Sequence, residues 1–181
     1  MVLRLLPWAL CVALLLFSAA TYSNLPASIP QHLNAAGEVT RSTPTTWLSW
    51  MLLPLVAVLV QALMTGLTLV LPKRPDLFNL PEKERLLTLP PEYRSTVIPL
   101  MQQTVDALGA LTVLVLFGVQ VMLWRVALGH AASNALPLLI VTSVVFVPVA
   151  LVLTSRVNTA TEEAHRRWVA DTAKTQATRN R

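Results

Sequence analysis

The sequence predicts an all-α polytopic membrane protein with four transmembrane helices. Hydrophobic residues make up 54% of the 181-residue chain and charged residues only 13%, too few to cover the surface of a soluble domain. Apolar stretches of about 18 residues are typical of helices that cross a bilayer, because a helix satisfies its own backbone hydrogen bonds there. The chain contains four such stretches, at residues 5–20, 47–71, 107–124 and 135–154.

The distribution of basic residues predicts the orientation of these spans. Of the 14 Lys and Arg residues, only Arg41 and Arg125 lie between the first and second spans or between the third and fourth. Because Lys and Arg are enriched in cytoplasmic loops, we expect both termini in the cytoplasm and residues 21–46 on the outer side of the plasma membrane. This topology accounts for the net charge of +5, so no nucleic-acid partner is expected.

The first predicted domain covers residues 1–71 and consists of two spans joined by the outer loop, residues 21–46. An alternative is that the N-terminal segment is a cleaved secretory signal, because one Arg, an apolar stretch and the small residues Ser18–Ala20 follow in that order. Cleavage would leave three spans, with the loop still outside. The single cysteine, Cys11, lies inside the first span and is expected to pack as an apolar residue.

The rest of the chain is predicted to contain a cytoplasmic linker, a second helical pair and a tail. In the linker, residues 72–106, Asn79 is a suitable N-cap for a short helix. Such short helices are expected either to lie on the inner leaflet or to cap the helix bundle. The second pair occupies residues 107–154, and the basic tail, residues 155–181, is expected to start a helix near Thr161.

Polar and aromatic residues within the spans have two expected roles. Asp106 lies at the edge of a span; intramembrane acids mark functional sites, whereas an acid at headgroup level is simply hydrated, as we expect here. The polar residues farther inside, including Gln61 and Gln120, are expected to form interhelical hydrogen bonds. Four aromatic residues near the outer span ends are expected to anchor the interface: Tyr22, Trp47, Trp50 and Trp124.

The outer loop contains the stretch LPASIPQHLNAAG, residues 25–37. Its prolines stiffen the backbone, which lowers the entropy lost when a ligand binds. Its histidine offers a hydrogen-bond donor and an acceptor near neutral pH, and its asparagine offers an amide. These residues form either a ligand-binding motif or a structural one that holds the loop against the membrane. The candidate residues are Pro26, Pro30, His32, Asn34 and Gly37.

Metal binding and catalysis are not expected. His32, His130 and Glu38 together provide too few ligands of the usual kinds for a zinc site, so we predict neither a metal nor another cofactor. The sequence also has no pair of intramembrane acids, no Cys–His pair on the outer side and no glycine-rich phosphate loop. We therefore do not expect an enzyme.

The same stretch resembles the signature LPxxIPxHxNxxG of a bacterial membrane domain of unknown function, which also forms the N-terminal part of SdpI-type immunity proteins. The resemblance covers about residues 5–95. SdpI-type proteins protect a producing cell from its own secreted toxic peptide and hold a repressor at the membrane, but they carry further spans after the shared domain. The matching positions are Leu25, Pro26, Ile29, Pro30, His32, Asn34 and Gly37.

The residues and the resemblance together predict a non-enzymatic binding, immunity or signalling module embedded in the lipid bilayer. In this interpretation the outer loop recognises an extracellular peptide, and the linker and tail contact a cytoplasmic protein. The alternative is a subunit of a small transporter or channel. Four spans would then need to assemble as a homo-oligomer, and charged residues should line a path, but the centres of the predicted spans carry none.

Overall fold

The computed structural model describes residues 2–34, 38–77, 82–130 and 136–179. The chain is mostly helical. The described residues form the α-helices α1 (Val2–Thr21), α2 (Trp47–Val70), α3 (Lys83–Thr88), α4 (Pro91–Ala127) and α5 (Leu136–Arg179). They also form the strands β1 (Ser28–Leu33) and β2 (Val39–Pro44), and short 3-10 turns at Tyr22–Asn24 and Pro75–Leu77. Gly37, a candidate residue of the outer-loop motif, and Asn79, the predicted N-cap, lie outside the described residues.

Helices α1, α2, α4 and α5 are long and apolar enough to cross a membrane, which confirms the four predicted spans and indicates a multi-pass membrane protein. Two of them are much longer than the ~20 residues that a bilayer requires: α4 has 37 residues and α5 has 44. Pro99 and Pro148 lie inside these helices without ending them. The expected helix start near Thr161 is wrong, because α5 passes through that position without a break.

Helix α4 is the central element and packs against α1, α2 and α5. Its first turns form, with α3 and the C-terminal half of α5, a compact region that we call the stem. Arg94 at the start of α4 donates hydrogen bonds to the carbonyls of Leu87 and Leu89, which would otherwise lack donors at the end of α3. The side chains of Leu86 and Leu89 are buried in the stem core. The apolar face of α3 is therefore covered by protein, as in the alternative of a helix that caps the bundle.

Strands β1 and β2, which lie between α1 and α2, pair as an antiparallel β-hairpin. The all-α prediction did not include this small sheet. Thr45, just beyond β2, closes the base of the hairpin: its backbone N–H donates to the carbonyl of Ala27 and its hydroxyl to that of Pro26. Thr46 then caps α2 in a reciprocal pair of hydrogen bonds with Ser49, 2.9 and 3.0 Å long. The hairpin end of the helix bundle lies opposite the stem.

Candidate binding site at the hairpin end

Two polar groups from different helices meet beneath the hairpin because of a proline in α2. Pro54 has no backbone N–H, so the carbonyl of Trp50, four residues earlier, lacks its usual helical donor. The side-chain amide of Gln120 in α4 donates to that carbonyl over 3.2 Å. The side chain of Gln120 is only 1% exposed, and this bond fixes its Nε2 atom against α2.

Trp50 joins three helices at this level. Its indole N–H donates over 2.8 Å to the carbonyl of Ser18, near the C-terminal end of α1, while its own carbonyl accepts from Gln120 on α4. Trp50 is 2% exposed and packs against Ile29 of β1. The prediction that Trp50 is an interfacial anchor is therefore wrong, because its ring lies in the protein core. Trp47 is 51% exposed, as an anchor requires.

A groove of about 250 Å³ lies between the hairpin, α2 and α4. No charged side chain of the described residues lines it. Leu52 and Val56 are both more than one-third exposed, so the groove reaches the surface of α2 that faces lipid when the helix crosses a bilayer. The lining residues are Ile29, Pro30, Gln31, Thr43, Ser49, Trp50, Leu52, Leu53, Val56, Gln120 and Leu123.

Gln120 leaves one polar atom open beside this groove. Its Nε2 atom is bonded to Trp50, but no donor among the described residues bonds to its Oε1 atom. A buried amide oxygen without a donor costs about 1–3 kcal/mol, so such atoms normally bind a donor from protein, water or a ligand. The site can therefore receive an uncharged group that combines an apolar body with one hydrogen-bond donor.

The residues of the sequence motif lie at different places in the hairpin. Pro30 is buried and lines the groove, whereas Pro26 is exposed and contributes its carbonyl at the base of the hairpin. His32 is exposed on β1, and its ring makes no hydrogen bond with the described residues. Gly37 lies outside the described part of the chain. The motif thus supplies part of one wall of the groove, through Ile29 and Pro30, and an exposed histidine on the same strand.

Asn34 holds the far end of the hairpin. Its side-chain oxygen accepts from the backbone N–H of Glu38 over 2.9 Å, and its side-chain amide donates to the Glu38 carboxylate over 2.8 Å. The backbone N–H of Asn34 also donates to the carbonyl of Glu38. These contacts give Asn34 a structural role at the turn.

A second polar group, which we call the polar layer, lies between α1, α2 and α4 on the stem side of the spans. Asp106 is 5% exposed; Arg4 lies 3.5 Å from its carboxylate and Thr68 donates to it over 3.3 Å. The prediction that Asp106 is hydrated is wrong, because α1 and α2 cover it. Farther along, the indole N–H of Trp8 and the side-chain amide of Gln61 both donate to Thr65.

No group of three or more His, Cys, Asp or Glu side chains within the described ranges has the arrangement of a metal site. The sequence analysis missed Gln120, Trp50 and Leu53 as parts of one site. A signal for the first two was present: a proline inside a span leaves a carbonyl without a donor, and a glutamine in another span can supply one.

Comparison with known proteins yields one result. The family model of a domain of unknown function (DUF1648) matches residues 9–58. This range includes most of α1, the hairpin and the first half of α2, but not Gln120 or the stem. No curated protein and no solved structure matches the chain.

Proposed function

We propose that the protein is a non-enzymatic membrane module that captures a peptide at its hairpin end, in an immunity or signalling role. The observation that carries this proposal is the uncharged groove between the hairpin, α2 and α4, with the open Oε1 atom of Gln120 beside it. Concave, mostly apolar sites with a few polar groups are the usual form of ligand pockets. In this proposal His32, exposed on the same strand as Ile29 and Pro30, contacts the part of a ligand that stays outside the groove.

The second part of the proposal concerns orientation. The excess of Lys and Arg in the stem segments supports a cytoplasmic stem, with both termini inside the plasma membrane and the hairpin outside. Helix α4 contributes Gln120 and Leu123 to the groove and Val97 and Met101 to the stem core. One continuous helix therefore connects the ligand site with the surface that we propose for a cytoplasmic protein partner.

A survival experiment tests the proposal. Cells that express the wild type, His32→Ala, Leu53→Trp or Leu55→Trp at matched membrane levels are challenged with a panel of secreted membrane-active peptides. Leu53 lines the groove, whereas Leu55 is 48% exposed on the same helix and outside the groove, so the two Trp variants form a matched pair. We expect protection by the wild type and Leu55→Trp and reduced protection by the other two. Equal survival of all strains and an empty-vector control would overturn the proposal.

A subunit of a transporter or channel is the second candidate, because the buried Asp106 in the polar layer is the kind of residue that marks ion pathways. However, Leu14, Ala57 and Val113 lie between the polar layer and the groove along their helices, and all three are 0% exposed. This apolar packing leaves no continuous polar path between the two sites. Ion flux into vesicles that contain the protein, lost in Asp106→Asn, would favour the second candidate.

A further inference from the structure

We infer that the groove receives one aromatic side chain that carries an N–H or O–H donor, with the indole of tryptophan as the best fit. The inference rests on the proposed function, since it specifies which part of a captured peptide enters the site. It follows from the volume of the groove, from the open acceptor of the buried Gln120 and from the depth of the groove along the spans.

The volume of the groove suits one large side chain. The groove holds about 250 Å³. This is below the ~300–1,000 Å³ range of most small-molecule pockets. A single aromatic residue inserted from a peptide fits such a space and is a common anchor of protein–peptide binding.

The buried part of the lining favours one donor on an otherwise apolar group. Trp50, Leu53 and Leu123 contribute rings and methyl groups, and no charged side chain of the described residues lines the groove. The other polar side chains of the lining, Gln31, Thr43 and Ser49, are exposed or half-buried. One N–H of the Gln120 Nε2 atom is bonded to the Trp50 carbonyl, so the amide cannot turn over without losing that bond. The Oε1 acceptor of this buried side chain has no donor among the described residues, and an indole N–H or a phenol O–H satisfies it, whereas an aliphatic or phenyl group does not.

The position of the groove favours the same class of group. It lies between the hairpin and the first turns of α2, where the apolar helix begins. Tryptophan and tyrosine concentrate at this depth in membrane proteins, because one end of the ring system is apolar and the other is polar. A lipid acyl chain also matches the apolar walls, but it has no donor for Gln120.

The experiment uses 5-fluoroindole and its N-methyl derivative as probes, with binding followed by ¹⁹F NMR on the full chain in lipid nanodiscs and on empty nanodiscs. We expect saturable binding of 5-fluoroindole beyond the empty discs, a loss of this binding in Leu53→Trp and its retention in Leu55→Trp. N-methylation removes the donor and should weaken binding by about five- to tenfold, the usual effect of one lost hydrogen bond. This last comparison uses the wild type alone, so it does not depend on the folding of a variant.

Two results would overturn the inference. Absence of saturable binding, or equal binding to Leu53→Trp, would show that the groove does not take an indole. Equal affinity for both probes would show that the groove does not need a donor. These outcomes are distinct from failure of the proposed function: protection of cells without indole binding would overturn only the inference, and indole binding without protection would overturn only the immunity role.

Discussion

Two glutamines, Gln61 and Gln120, are buried to the same extent, but the environments of their side-chain oxygen atoms differ. Each is 1% exposed, and each uses its Nε2 atom for a hydrogen bond of 3.2 Å, to the Thr65 hydroxyl and to the Trp50 carbonyl respectively. The Oε1 atom of Gln61 is fully enclosed and has no hydrogen-bond partner among the described residues. Gln120, in contrast, lines a groove that reaches the surface.

This difference separates packing from binding. A glutamine whose oxygen is sealed against a neighbouring helix, as at Gln61, specifies how α2 and α4 approach each other. A glutamine whose oxygen borders an open groove can exchange partners, and so it can recognise a ligand. We therefore propose that the polar layer around Gln61 and Asp106 serves the assembly of α1, α2 and α4, and that the hairpin end serves binding. The variants below test this assignment.

The largest effect is expected from Arg4→Met. Without Arg4, the Asp106 carboxylate stays buried with Thr68 as its remaining partner. Removing one member of a buried ion pair costs about 3–5 kcal/mol, and we expect about 3 kcal/mol here because Arg4 itself is half exposed. Cys11, the single cysteine and 1% exposed, reports unfolding when it reacts with a fluorogenic maleimide.

The matched control for this prediction is Arg74→Met, which removes an exposed ion pair with Asp76 and should not change the unfolding transition. The double variant Arg4→Met/Asp106→Leu should recover most of the lost stability, since no unpaired charge remains in the interface. Equal transitions for Arg4→Met and the wild type would show that the pair contributes nothing to the assembly of α1 with α4.

Gln120→Leu is expected to lower the free energy of unfolding by a smaller amount, about 2 kcal/mol, because the Trp50 carbonyl then remains buried without a donor. Pro54→Ala supplies the missing helical N–H to the same carbonyl. The loss on Gln120→Leu should therefore shrink when Pro54→Ala is already present, and a double-variant cycle of thermal unfolding measures this coupling. Additive effects would show that Gln120 does not compensate for the proline.

Gly109→Ala probes the enclosed side chain of Gln61. We expect it to lower the free energy of unfolding by about 1 kcal/mol, the low end of overpacking effects. A Cβ atom at Gly109 would lie 2.7 Å from the Oε1 atom of Gln61, so the end of that side chain must move within an enclosed space. Gly66→Ala is the control, since nothing lies within 4 Å of its added methyl group. If both alanine variants unfold at the wild-type temperature, the contact between α2 and α4 at Gln61 is not tight.

The sequence predicted the four spans well, because apolar composition alone determines which segments can cross a bilayer. It did not predict the hairpin, since two prolines and several polar residues give a weak strand pattern. The different fates of Trp47 and Trp50 were also hidden: both lie at the start of one span, and only packing against α1 and the hairpin places Trp50 in the core. Asp106 was misjudged because its partner Arg4 is distant in sequence.

The candidate site was predicted only in part. The motif identified the loop that forms the hairpin, in which Pro30 lines the groove, but it could not show that the side chain of Asn34 contacts Glu38. The groove also depends on Gln120, which lies 90 residues after Pro30 in the chain and outside the range matched by the family model. Pro54 signals that a carbonyl in α2 needs a donor, but helix packing decides which distant side chain supplies it.

Within the hairpin, Asn34→Ala should act locally. Loss of its two side-chain contacts with Glu38 should open the turn more often and increase tryptic cleavage after Arg41 by about fivefold, which corresponds to one net hydrogen bond. Arg41 is the one basic residue between α1 and α2, so the cleavage product is unique. The thermal reaction of Cys11 should stay unchanged. An unchanged cleavage rate would assign Asn34 a role other than closing the turn.

The smallest structural effect is expected from His32→Ala, and this is what makes it the most informative variant for binding. The ring of His32 is exposed and has no hydrogen bond with the described residues, so its removal should alter neither the thermal reaction of Cys11 nor tryptic cleavage after Arg41. A loss of protection in this variant would then report direct contact with the ligand. Faster cleavage after Arg41 would instead place His32 with Asn34 as a structural residue, and Gln120 would remain as the polar contact of the groove.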